Sequence, residues 1–102
     1  MKKFQSILIT GASSGVGEAL AEGLAGESVF LAISGRDEVR LNHVAEKCRS
    51  LGASVEARVI DVTDQAAMKT WIEQVDQAQT LDLVIANAGV SPGTSGESVT
   101  DA

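Results

Sequence analysis

Four short apolar runs alternate with three helix-spaced stripes, and that alternation constrains the fold of this chain more than any other feature. "SILIT" (6–10) is a short apolar run between turn residues, as a strand buried on both faces requires. Val16, Ala19, Leu20, Gly23 and Leu24 then recur at three and four and predict a helix. "SVFLAIS" (28–34) predicts a second buried strand, stopped by Gly35. Asp37 is placed to cap a helix whose stripe is Leu41, Val44, Ala45 and Cys48, with Gly52 ending it. "SVEARVI" (54–60) alternates, as a strand nearer an edge does. Asp64 caps a third helix with the stripe Met68, Trp71, Ile72 and Val75, and "LDLVIAN" (81–87) supplies a fourth strand. The order β-α-β-α-β-α-β favours a parallel sheet with right-handed crossovers and helices on its faces.

The turn after the first strand, "TGASSGVG", places Gly11, Gly15 and Gly17 within seven residues. Glycine is costly to order, so such a cluster marks a place where backbone comes close to something. In a parallel sheet ligands bind beyond the carboxyl ends of the strands, where this turn lies. The free N–H groups and partial positive charge of the helix start suit a phosphate. Gly11 permits the tight turn, Gly15 lets the backbone approach a pyrophosphate, and Gly17 lets the helix pack on the strand. Ser13 and Ser14 add hydroxyl donors.

A phosphate-binding P-loop needs four residues between its glycines and then Gly-Lys-Ser/Thr; here three residues separate Gly11 from Gly15 and no lysine follows. "GASSG" also fits the Gly-x-Ser-x-Gly nucleophile elbow, which would make Ser13 a nucleophile. Its partners would be His43, the only histidine, and Asp37. Six residues apart on one helix, these point about 240° apart and can hardly serve one serine. A structural turn without ligand is the remaining alternative.

One domain fits in 102 residues, and 44% hydrophobic residues with interspersed charge describe a globular chain. The net charge of −6 argues against a nucleic-acid or anionic-membrane partner, both of which need a basic face. The apolar part of "MKKFQSILIT" is too short for a signal peptide, and no run approaches a membrane span. With one cysteine, Cys48, a reducing compartment is expected, so the protein reads as cytoplasmic. Cys48 and Trp71 lie on apolar stripes and read as core, His43 as helix surface. No metal site is expected.

At this point the motifs resemble those of the short-chain dehydrogenases/reductases. "TGASSGVG" (10–17) resembles the TGxxxGxG cofactor motif of the compact members. "DV" (61–62) and "ANAG" (86–89) stand where the family has its adenine-contact Asp and its NNAG motif, with Ala86 replacing the first Asn. The resemblance covers residues 4 to about 92. It implies a Rossmann-type, doubly wound α/β fold with strand order 3-2-1-4, a partial dinucleotide-binding domain over residues 1–90, and a loop or flexible tail over 91–102. It also implies that Gly11, Ser13, Ser14, Gly15, Val16 and Gly17 line the pyrophosphate and adenosine ribose. Asp61 would hold the adenine amino group, with Val62 giving a backbone contact. Asn87, Ala88 and Gly89 would run beneath the ribose.

An NAD-binding unit of this type wants an acid at the end of its second strand for the ribose 2′-hydroxyl. Here "SGRDE" puts Gly35 in that place and Arg36 next, and a guanidinium can grip a 2′-phosphate bidentately. NADP(H) is therefore expected over NAD(H). The bland alternative is that Arg36 pairs with Asp37 or Glu38 on the surface.

The family's hydride transfer uses a tyrosine, a lysine four residues later, a serine and an assisting asparagine. This sequence contains no tyrosine. The expectation is a nucleotide-binding portion, truncated after four strands and inactive alone, of an NADP(H)-dependent oxidoreductase acting on a small alcohol or carbonyl substrate. The alternative is a stand-alone non-catalytic dinucleotide-binding or interaction module. "LVIA", apolar yet last in order, would sit at an open sheet edge, where self-association through strand 81–86 is expected.

Overall fold

In a computed structural model of the chain, residues 4–13 and 15–87 are described. Strands and helices alternate as β1 (Ser6–Thr10), α1 (Gly15–Leu24), β2 (Phe30–Gly35), α2 (Glu38–Ser50), β3 (Ser54–Val59), α3 (Gln65–Ala78) and β4 (Leu83–Ala86). The four strands form one parallel sheet in the order β3-β2-β1-β4, as expected for a Rossmann-type unit. Ser14, Ala88, Gly89 and the expected tail 91–102 lie outside the described residues.

Strand alternation divides the interior into two layers. Ile7, Ile9, Leu31 and Ile33 point to one face and pack with Ala21 of α1 and Leu41, Val44, Ala45 and Cys48 of α2. Leu8 and Ala32 point to the other, where Trp71 and Val75 of α3 cover them. Every residue of β1 is buried, as an interior strand with helices on both faces should be. Among the described residues no helix is long and apolar enough to cross a membrane.

The caps follow the sequence. Asp37 accepts from the Arg40 N–H at 3.1 Å, and Asp64 accepts from the Ala67 N–H at 3.1 Å. Each satisfies one of the orphan donors at a helix start. Gly52, at φ +104°, follows the end of α2 in the left-handed region. The α1 stripe is only half right. Leu20 and Leu24 pack against the core, but Val16 is exposed, Ala19 and Gly23 stay outside the core, and the fully inward residues are Gly17 and Ala21. A stripe of small residues carries little hydrophobic contrast, so its phase is set by how closely the helix can approach the strand.

The two sheet edges differ in chemistry. β3 carries Glu56 and Arg58, an ion pair at 3.7 Å, and Arg49 of α2 donates to the Val55 carbonyl at 3.0 Å. Charges of this kind blunt an edge against further pairing. β4, with Val84 47% exposed, forms the opposite edge with no charge along Leu83–Ala86. Its start is fixed by Asp82, whose carboxylate accepts from the main-chain N–H groups of Gln5 and Ser6 at 2.9 and 3.1 Å.

Candidate functional site

The carboxyl ends of β1, β2 and β4 meet at the glycine turn. Gly11 leaves β1 at φ +69°, a conformation that favours glycine. A side chain there would strike the Asn87 carbonyl, and one at Gly17 would strike the Gly11 carbonyl and the Ala12 Cα. The start of α1 therefore rests directly on the strand end. Ala12, fully buried, donates its N–H to the Ser34 carbonyl of β2 at 2.7 Å and ties the turn across the sheet. Among the described residues, nothing lies within 4 Å of where a Gly15 side chain would go, which leaves that backbone open to approach.

The end of β4 holds the turn from the other side. Asn87 donates through Nδ2 to the Gly11 carbonyl at 3.2 Å, and its own carbonyl accepts from the Thr10 hydroxyl at 3.4 Å. Thr10 carries no role in the sequence reading, where it is only the end of a strand. Its place in the TGxxxGxG motif is the sign that could have found it.

At the end of β2, Gly35 packs against Ser13 of the turn, and Arg36 emerges beside it with its side chain 76% exposed. Arg36 does not pair with Asp37 or Glu38. Asp37 is occupied as the α2 cap, and the guanidinium lies 3.9 Å from the Asp61 carboxylate at the end of β3. Asp61 accepts from the Thr63 main-chain N–H at 2.9 Å and the Thr63 hydroxyl at 2.8 Å. These two bonds hold its carboxyl below the usual range, with Arg36 a smaller contributor. Asp61 is thus fixed in one orientation with Arg36 at its open side.

Gly11, Ser13, Gly15, Val16, Gly17, Arg36, Asp61, Val62 and Asn87 all fall at this end of the sheet, on four different strand ends or the turns beyond them. Val16 is 66% exposed on the first turn of α1 and presents an apolar side chain to solvent. The Val62 side chain lines an apolar groove of about 550 Å³ between α3 and β4, bounded also by Thr10, Met68, Ile72 and Val84. That groove was not foreseen; the uncharged run "LVIA" was its sequence trace. Cys48 is buried, and burial pushes its thiol up, so it is an unreactive core residue. His43 is exposed on α2.

The arrangement offers bare main chain and the Ser13 hydroxyl before a helix start, a guanidinium and an oriented carboxylate, which together suit a nucleotide with paired phosphates. Residues 5–102 match the short chain dehydrogenase family. The chain is 35% identical over 95 residues to the granaticin polyketide synthase putative ketoacyl reductase 1 of Streptomyces violaceoruber, covering 92% of this chain and 35% of that protein. A mutant short-chain dehydrogenase/reductase of Serratia marcescens superposes with a TM-score of 0.78 at 28% identity, over 87% of this chain and 37% of that one. NAD+-bound xylitol dehydrogenase superposes with a TM-score of 0.66 at 27% identity, over 72% and 28%. The chain spans about a third of the length of the curated relatives it matches.

Proposed function

The chain belongs to the short-chain dehydrogenase family, and we propose that it forms the nucleotide-binding portion of an NADP(H)-dependent oxidoreductase interconverting an alcohol and a carbonyl. The observation that carries this reading is the turn itself. Positions 11 and 17 admit no side chain because main chain fills the space, while position 15 faces none of the described residues. A merely structural turn gains nothing from leaving position 15 bare.

Within this reading Gly11, Ser13, Ser14, Gly15, Val16 and Gly17 line the pyrophosphate and adenosine ribose. Asp61 and Val62 receive the adenine. Asn87, with Ala88 and Gly89 after it, runs beneath the ribose. The bound nicotinamide coenzyme supplies or accepts the hydride; this chain's residues bind and orient it. Arg36 is the reason to prefer a phosphorylated ribose over NAD(H), the coenzyme of the xylitol dehydrogenase. Its link to Asp61 is long and half exposed, so turning toward a 2′-phosphate costs little. Each charge-assisted bond gained contributes roughly 1.5–3 kcal/mol.

Proton transfer to the substrate belongs to the tyrosine–lysine pair of the family, and this sequence has no tyrosine. The chain by itself therefore binds coenzyme without turning substrate over, in the cytoplasm. The uncharged β4 edge favours a second reading, a binding or interaction module that pairs through that edge. Calorimetric titration with NADPH and NADH tests the main reading: tighter binding of NADPH is expected, and no heat with either coenzyme removes it.

A further inference from the structure

Hydrophobicity does not fix where β4 lies along β1. Among the described strands β4 pairs only with β1, through the partners Ile7–Leu83, Leu8–Val84, Ile9–Ile85 and Thr10–Ala86. Leu83 and Ile85 pack against the layer that holds Ile7 and Ile9, while Val84 and Ala86 line the groove beside α3. All four are apolar, so pairings displaced along the strand still offer apolar side chains to both faces. Register is weakly specified by such a pattern. The main-chain ladder repeats every two residues as well. The Asp82 N–H bond to the Ser6 carbonyl, at 2.8 Å, therefore has an equivalent after a slip of two. Two side chains do discriminate. Through one oxygen, the Asp82 carboxylate accepts from the Gln5 and Ser6 N–H groups at 2.9 and 3.1 Å. Asn87, just past the other end of β4, donates to the Gly11 carbonyl at 3.2 Å. A slip of two residues would carry Asn87 roughly 6–7 Å from that carbonyl.

We infer that Asp82 is a positioning residue for the glycine turn: it sets the register of β4, and so delivers the Asn87 amide to the Gly11 carbonyl at the opposite end of the strand. Asp82 stands at the amino end of the sheet and acts on the turn through β4, a short extended segment that can neither stretch nor shorten. The effect on ligand binding rests on the nucleotide reading above; the control of register does not. Both coenzymes would share this turn, so losing the register weakens NADPH and NADH alike.

Calorimetry and thermal melts on the 102-residue chain test this, with cross-strand amide contacts in NMR reporting the register. Asp82→Ala is expected to weaken both coenzymes about three- to tenfold, the worth of the Asn87 bond it misplaces. A residue that only stabilises the fold would lower the melting temperature and leave Kd unmoved while the chain is folded. The Leu8–Val84 contacts should fade, while Leu8–Ala32 contacts on the other side of β1 persist. In an Asn87→Ala background, Asp82→Ala should cost no further affinity. Asp82→Asn keeps an acceptor oxygen and should hold the register, with affinity within about twofold of the unsubstituted chain. Unchanged Kd in Asp82→Ala, additive losses in the double variant, or intact Leu8–Val84 contacts overturn the proposal. If Asp82→Ala does not fold, Asp82→Ser takes its place in every arm; failure of both makes Asp82 a stability residue and also overturns it. If the unsubstituted chain binds neither coenzyme, the nucleotide reading falls, and the NMR contacts still decide the register.

Discussion

Asn87 at the end of β4 donates its side-chain amide to the Gly11 carbonyl, 76 positions earlier at the end of β1, over 3.2 Å. The glycine turn is thus held by a strand that the linear sequence places far away. Asn87→Ala is expected to cost about 1 kcal/mol through the lost hydrogen bond. NADPH affinity should fall further than stability does, because in the proposed reading the turn it frees is the one that holds the phosphates. Parallel calorimetry and thermal melts read the two effects, and equal losses in both would remove the positioning role.

Two glycines of the same helix turn should respond in opposite ways. A side chain at Gly17 meets main chain of Gly11 and Ala12, so Gly17→Ala should destabilise the fold by more than about 1 kcal/mol, in the range of overpacking. Gly15 faces open space, so Gly15→Ala should leave the melting temperature unchanged or slightly raised. Its methyl should nevertheless weaken coenzyme binding. A Gly15→Ala chain that binds NADPH as tightly as before argues for a turn without ligand.

Arg36→Ala should weaken NADPH by about ten- to a hundredfold and NADH little, the worth of one charge-assisted bond. The NADPH preference should also shrink as salt rises, since the guanidinium is largely exposed. Equal losses for both coenzymes would assign Arg36 a structural role through Asp61.

Asp61 titrates below its ordinary value of 3.8 because the Thr63 N–H and hydroxyl stabilise its charged form. A carboxyl depressed on folding contributes stability that is present above its unfolded value and lost as pH falls through the folded one. Carboxyl NMR titration should show the midpoint below 3.8. Thr63→Ala should move it up more than Arg36→Ala does, as the hydroxyl bond outweighs the distant guanidinium. The reverse order would make the ion pair the main determinant.

Val84 stands half exposed on an uncharged edge strand beside an apolar groove. Val84→Lys should raise the concentration at which the chain self-associates in sedimentation velocity, with no loss of helical signal in circular dichroism. Unchanged association would place the contact elsewhere.

Element types were legible because each declares itself by period: "SILIT" and "SVFLAIS" as buried runs, Leu41 to Cys48 and Met68 to Val75 as stripes, Asp37 and Asp64 as caps. Ends were less so. Gly35 reads as a stop, yet belongs to β2 because its carbonyl takes the Ile60 N–H. The phase of α1 failed where packing depends on glycine at 17 and not on hydrophobicity. The site was visible as types of residue, but not its couplings. Ser13 with Gly35, Arg36 with Asp61, and Asn87 with Gly11 each join separate strand ends, and only the sheet order makes them neighbours.

The carboxylate of Asp82 clasps the Gln5 N–H across 77 positions, and the strand that begins there becomes the second neighbour of the first one made. On a ribosome β1 can find β2 early, but its other flank must wait until three crossovers have emerged. Closing so long a loop adds only modest entropy over a shorter one, yet it orders events in time. Asn87, which braces the glycine turn, sits at the far end of that last strand, so the turn gains its brace only when the other three strands are already in place.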